Sequence, residues 1–403
     1  MKLSRGLVSI VLVALVGAAS GCYRSRSGQL VHLGEHHEGV LRSSDPIRAE
    51  PPRGPESRWV FDGQAGQRIT LAAESYEFNV YLLLIDPRGR HISWSDDNGW
   101  FFNARIRATL PATGRYAVIA SGANADQYGT YWLSLEEGDR EPDWNESTIA
   151  AYYKKGIQWA EREKNQRAVS WLNLAMGKYF RERRQWERAE GYFAKSLAAA
   201  EQANLSYGRW AVALERGTLL TQRMRYDQAL SELERALELS KKLRAVDQAE
   251  AAVFTQLGDL YLYMDRADLA GTHYRNATQR AEQSRLPSTL VRLYTSLFDF
   301  LKLQDKAKAV EYAQKAYALR GGVDPVLELI STSTLACASF ALGRLEEGLK
   351  LAAEVRQMAH RLGCRDKEIS ALNSVSTFYY KLNNIEEMIR SAREAVELTS
   401  PED

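Results

Sequence analysis

Few residues in this chain have the types and spacing that chemistry needs. His32, Glu35 and His36 follow a His-x-x-Glu-His order inside His32–Glu38. Two histidines and a glutamate could hold a zinc ion and its base, if a buried helix brought them to one face beside a further ligand. Gly34 and polar, proline-bearing surroundings deny that helix, so no catalytic metal is expected there. Asp96, Asp97 and Asn98 offer oxygen ligands for calcium. Adjacent acids in a turn more often cap backbone amides, which leaves a calcium turn at Asp96 and Asp97 as the weaker alternative. From Gly191 to Ser196 the chain approaches a phosphate-loop pattern but has Ala194 where a glycine is required. Neither a Gly-x-Ser-x-Gly elbow nor a supported cysteine-histidine pair is present. The expectation is a protein with no catalytic residues and no cofactor.

Cys22 is chemically distinctive for another reason. Lys2 and Arg5 precede an apolar run from Leu7 to Ala19, closed by Ser20, Gly21 and Cys22. The run is shorter than the roughly 20 residues that span a bilayer as a helix, and small residues close it, so it reads as a secretion signal. It resembles a bacterial lipoprotein signal peptide. That resemblance implies cleavage before Cys22, a lipid on its thiol, and a place in the cell envelope. In two-membrane bacteria, Tyr23 in place of Asp leans towards the outer membrane. Residues 1–21 are then the signal, and residues 22–57, polar and carrying Pro46, Pro51, Pro52 and Pro55, a flexible tether. Cys337 and Cys364 remain, too few for a disulfide framework; one buried and one exposed thiol is the expectation, with a disulfide between them the alternative.

The 53 basic and 51 acidic residues leave a net charge of +2, which supplies no field for nucleic acid. Over residues 58–137 short apolar or alternating runs are separated by turn residues, among them Gly63, Gly66, Asp86-Pro87, Gly89, Gly114 and Gly129. Seven such runs predict an antiparallel β-sandwich. Phe61…Ala65-Gly66-Gln67, Phe78 to Leu82, Asp86-Pro87-Arg88-Gly89, Ser95-Asp96-Asp97, Thr113 to Tyr116 and Gly129 to Leu133 resemble the pre-peptidase C-terminal family, a jelly-roll-like sandwich. Asn79 departs from it, since the family often has Asp there. Trp94, Trp100, Phe101 and Phe102 could stack on a carbohydrate, plug an end of the sandwich, or dock the helices beyond it.

After a linker at 138–147, residues 148–403 read as helices to the end: one leading helix, then about six helix pairs with a period near 40. Gly177, Gly217, Gly258, Leu297, Ala336 and Ser376 recur in the first helices. Ala189, Ala229, Ala270, Ala309, Gly348 and Met388 recur in the second. Small residues at a crossing let two backbones approach, while bulky neighbours fill the grooves. The array resembles the tetratricopeptide repeat in its long form. That resemblance implies an all-α superhelical solenoid whose concave face is lined by the first helices. By alignment the lining is Trp171, Lys178, Arg181, Thr218, Gln222, Asp259, Tyr263, Tyr294, Phe298, Phe340, Asn373 and Tyr380. Its mixture of aromatic and polar groups suits an extended peptide or a partner helix. Fold class and function are therefore expected as a sandwich followed by a solenoid, acting as a non-catalytic, membrane-anchored protein-binding scaffold outside the cytoplasm. Alternatives are a sensor subunit for a separately encoded CHAT-like protease, and a carbohydrate or envelope-polymer binder acting through the sandwich.

Overall fold

A computed structural model describes residues 28–47, 54–95, 103–122, 126–138, 146–284, 286–321, 323 and 325–399. Its N-terminal part is two β-sheets. One holds β1 (Gln29–Leu30), β3 (Glu56–Gly63), β8 (Gly114–Gly122), β5 (Val80–Ile85) and β6 (His91–Ser95), in the order β1-β3-β8-β5-β6. The other holds β2 (His36–Leu41), β9 (Gly129–Glu137), β4 (Arg68–Glu74) and β7 (Ala104–Thr109), in the order β2-β9-β4-β7. Pairing is antiparallel except between β1 and β3. Inward residues of both sheets, among them Phe61, Leu82, Val118, Leu71, Ile106 and Leu133, form one core, as alternation along half-covered strands requires. The Val80–Ile85 run is apolar without alternation because both of its faces are covered. Val80, Leu82 and Leu84 point into the core, while Tyr81 and Leu83 pack outside it with Ile119 and Trp94.

The seven expected runs lie in β3 to β9, but the expected tether is partly folded. β1 and β2 both lie within 22–57. Each is the edge strand of its sheet, so one flank is unpaired and few apolar residues suffice. Gly39 shows what does hold β2: a Cβ there would stand 2.3 Å from the Tyr131 ring carbon Cζ on the neighbouring strand. The His-x-x-Glu-His segment is therefore turn and strand. His36 and His37 are consecutive on β2 and face opposite ways, and His37 Nε2 lies 3.0 Å from Glu35 Oε2. Among the described residues, no group of histidines, cysteines and acids is gathered to hold a metal.

Thirteen helices follow among the described residues. α1 (Glu146–Arg162) leads. The pairs are α2 (Gln166–Glu182) with α3 (Trp186–Gln202), α4 (Ser206–Gln222) with α5 (Tyr226–Ser240), and α6 (Val246–Tyr263) with α7 (Ala267–Ser284). Then come α8 (Pro287–Leu301) with α9 (Lys306–Ala318), α10 (Pro325–Ala341) with α11 (Leu345–Arg361), and α12 (Arg365–Lys381) with α13 (Ile385–Glu397). The long period has a local cause. Lys164, Arg184, Asn204 and Met224, spaced twenty residues apart, all have positive φ. Each sits in a tight turn whose next amide reaches back over the helix end, as Gln185 N does to Phe180 O at 2.9 Å. This αL ending satisfies carbonyls the helix leaves unpaired.

The recurrent glycines mark real crossings. A Cβ on Gly177 would stand 2.3 Å from the Phe193 ring, on Gly217 2.6 Å from Leu233, and on Gly258 2.5 Å from Tyr274. The array also curls back on itself. Arg184, in the α2–α3 turn, pairs with Asp366 at the start of α12 at 2.5 Å, and Arg183 donates to the Leu362 carbonyl in the α11–α12 turn. Cys364 is buried there, in one cluster with α2 to α6 residues, while Cys337 is exposed; no disulfide joins the two.

Candidate functional site

The sandwich sits on the N-terminal ends of the first helices. Tyr76 packs on Tyr152 and Trp159 of α1 at 5.6 and 5.4 Å between ring centroids. Arg167, in the first turn of α2, lies 4.1 Å over the Tyr128 ring. Asp126 Oδ2 accepts from the amides of Arg244 and Ala245, just before α6, at 2.9 and 3.2 Å. Trp94 stacks on Tyr81 and reaches the cluster of Val291 and Leu327, in α8 and α10. Of the three roles open to it, Trp94 thus takes the docking of the helices. Trp100, Phe101, Phe102, the calcium-turn residues Asp96 and Asp97, and Cys22 lie outside the described residues.

Between sandwich and helices a cavity of about 130 Å³ remains. Its apolar wall is Trp171, Tyr207 and Trp210, ring to ring at 5.4 and 5.0 Å, continued by Leu174 and Leu214. Lys178, Glu215 and Arg292 bring charge to it, Ser288 and Thr289 the first turn of α8, and Asn79 and Gln127 the sandwich. Each first helix from α2 to α10 therefore supplies lining, so the cavity lies on the face these helices share, where the sandwich covers it.

The residues expected on that face divide into four groups. Trp171 and Lys178 line the cavity. Arg181, Thr218, Gln222 and Asp259 form a polar band running along it. Arg181 is buried and pairs with Glu182 and Glu215 at 2.7 and 3.1 Å. Gln222 accepts from Arg181 at 3.5 Å, and Thr218 donates to Gln256 at 2.8 Å. Gln256 and Tyr274 donate to Asp259 at 3.1 and 2.8 Å. Burial pushes the Asp259 carboxyl up to about 6, opposed by hydrogen bonds from Ser296 and Tyr274 and by the Arg292 charge. Glu182 goes the other way: burial works against its charge, but Arg181, Lys367, Arg292 and Lys178 together hold it below its ordinary range. Tyr263 and Tyr380 stand exposed at the C-terminal ends of their helices, by 64% and 59%, and Asn373 stands exposed midway along α12.

Tyr294, Phe298 and Phe340 are corrections. The Tyr294 ring lies 5.5 Å from that of Tyr312 on α9. Phe298 is 6% exposed, among Ala309, Ala313 and Ala338, and Phe340 meets Phe378 edge-on at 5.4 Å. In each case the neighbouring helices leave a hole that a ring fills, which decides its direction. Arg181, Arg183, Arg184 and Arg188 lie close in sequence and all are engaged: Arg181 by Glu182 and Glu215, Arg183 and Arg184 by the α11–α12 turn and the start of α12, while Arg188 bonds Gln185 and covers the Phe180 ring.

Sequence reasoning missed Trp210, Glu215, Arg292 and Gln127. Asn79 was visible only as a departure from a family pattern, and it proves to be a lining residue.

No protein-family model matches this chain, and no curated protein matches it. Solved structures are similar to parts of it. A Signal Transduction ATPase with Numerous Domains with a tetratricopeptide repeat sensor, from Pyrococcus horikoshii, is 16% identical over 61% of this chain, with a TM-score of 0.45. This chain spans 39% of that protein's length. A Rap protein complexed with Competence and Sporulation Factor is 16% identical over 62% of this chain and 74% of its own, with a TM-score of 0.46. The pre-peptidase C-terminal domain of a Bacillus anthracis collagenase is 17% identical over 28% of this chain and 99% of its own, with a TM-score of 0.22.

Proposed function

We propose that this chain is a non-catalytic interaction scaffold whose helical array, of the tetratricopeptide type, holds a peptide or a partner helix on its concave face. One observation carries the reading. The first helices share a face on which a hydrogen-bonded polar band, anchored by buried Arg181, leads from the covered cavity to an open rim, where Tyr263, Asn373 and Tyr380 stand exposed. Polar groups held by one another give a rigid, specific surface, and exposed tyrosines supply large contact area with little rotamer entropy to lose. Covered by the sandwich at one end, the face is approached from the other.

The jelly-roll-like sandwich is in this reading a support that covers one end of the array. A lipid on Cys22 would place both at a membrane of the cell envelope, the outer membrane in a two-membrane cell. The signal-like N-terminus supports that placement. Cys22→Ala tests it: the variant leaves the membrane fraction if the reading is right, and an unchanged membrane fraction refutes it. The scaffold itself is tested by affinity capture with the full chain and with Tyr263→Ala/Tyr380→Ala. A partner held by the native chain and lost by the variant supports the rim, and capture that the double substitution leaves unaltered refutes this placement.

A further inference from the structure

The cavity between the sandwich and the concave face contains polar atoms that the protein does not pair. Trp210 is 5% exposed, and its Nε1 proton has no acceptor among the described residues. Gln127 is 2% exposed, and its Oε1 has no donor; the same is true of Asn79 Oδ1. All three residues line the cavity. Arg292 also lines it, and its guanidinium forms no hydrogen bond or ion pair among the described residues, meeting Glu182 and Asp259 only as a charge at longer range. Buried polar atoms left unmatched are rare in folded proteins and ask for an explanation.

Their arrangement has a sense. Trp210 Nε1 and Arg292 are donors, and Arg292 lies one turn after Ser288 and Thr289, the uncapped first turn of α8, whose amides add partial positive charge. Donors of this kind call for an anion with two acceptor oxygens. Gln127 and Asn79 offer oxygens, which call for an N–H. The wall of Trp171, Tyr207, Leu174 and Leu214 calls for an apolar body. A volume of about 130 Å³ is close to the roughly 150 Å³ of a cavity that takes one benzene ring, so the body is no larger than one side chain.

We propose that this cavity is a binding site for an α-amino-acid unit with an apolar side chain, its carboxylate on Arg292 and Trp210 and its N–H on Gln127 and Asn79. A free amino acid and the last residue of a peptide share that chemistry. The site deepens the scaffold reading and rests on the concave face being the binding face.

Isothermal titration of the full chain with L-phenylalanine, N-acetyl-L-phenylalanine, Gly-Gly-Phe and L-phenylalaninamide tests it. The carboxylates bind, and the amide, which lacks the anion, binds at least about tenfold more weakly, the scale of one charge-assisted hydrogen bond. Arg292→Gln lowers carboxylate affinity by a similar factor while its melting curve stays native. Trp210→Phe does so too, by removing the indole donor while keeping the wall. Binding of Phe marks a free amino acid as the source, and binding of Gly-Gly-Phe without Phe marks a peptide end; both support the site. No binding by any carboxylate, equal binding by the amide, or affinity untouched in a natively folded Arg292→Gln overturns it. If those fail while partner capture still depends on Tyr263 and Tyr380, only the cavity assignment falls.

Discussion

Asp259→Asn should make this protein more stable at neutral pH. Burial raises the Asp259 carboxyl from an ordinary 3.8 to about 6, so the folded state holds that proton more tightly than the unfolded chain. Stability linked to the proton is fully present below the unfolded value and is lost as pH rises through about 6. A gap of roughly two pH units corresponds to about 3 kcal/mol. Asparagine cannot ionise, and its carbonyl can take the Tyr274 hydroxyl that now donates to Asp259 at 2.8 Å. Its amide then faces Gln256 Nε2, which now donates to the carboxylate at 3.1 Å, and two opposed donors cost about 1 kcal/mol. The net gain above neutrality is about 2 kcal/mol, or about 4–8 °C in Tm for a cooperative unit of 150–250 residues. Circular dichroism melts of both proteins at intervals from about pH 4 to 8 read it directly. The curves should cross: the native chain leads at the acid end by the opposed-donor cost, and the variant leads above neutrality. A difference that stays constant across the range would show that Asp259 does not titrate there, and the burial argument would fail.

Three further outcomes follow from packing. Gly258→Ala puts a methyl 2.5 Å from the Tyr274 ring and should cost about 1–3 kcal/mol in chemical denaturation, whereas Gly191→Ala, where a Cβ meets nothing within 4 Å, should not destabilise. The Arg184–Asp366 pair is exposed on both sides, so a double-mutant cycle should return less than about 1 kcal/mol. In a chain begun after Cys22, a thiol reagent should modify exposed Cys337 before buried Cys364, which waits on local opening.

The repeat was legible because its cause is local and recurs. Gly177, Gly217 and Gly258 each stand where a bulky residue of the paired helix presses on the backbone, and the requirement repeats with every pair. The strands β3 to β9 were legible for a similar reason, since alternation and turn residues are short-range signals. β2 was not, because an edge strand with one covered face and a glycine at its tightest contact resembles polar linker. The concave lining was only partly legible. Helical periodicity says that Phe298 shares a face with Tyr294, but whether that face meets the groove or α9 depends on the hole left by Ala309 and Ala313. The cavity was least legible. Asn79 and Gln127 reach the first helices only because Trp94, Asp126 and Tyr76 dock the sandwich there, and no local pattern records a docking between segments so far apart.

That docking changes what the array can be. The sandwich covers the ends of the first helices that begin at Gln166, Val246, Pro287 and Pro325, and it supplies two of the cavity's polar atoms. Removing it would uncover Val291 and Leu327, both buried beneath Trp94, and would leave Arg167 without the Tyr128 ring. Such an array would gain apolar surface of the kind that associates without specificity. A groove open at both ends could accept a segment of any length running through it. A groove covered at one end accepts a segment that stops, because its last residue must fit against the cover. On the reading proposed above, the unmatched indole donor of Trp210 and the Arg292 guanidinium lie where such a residue would stop, and the exposed tyrosines where the rest of the segment would leave.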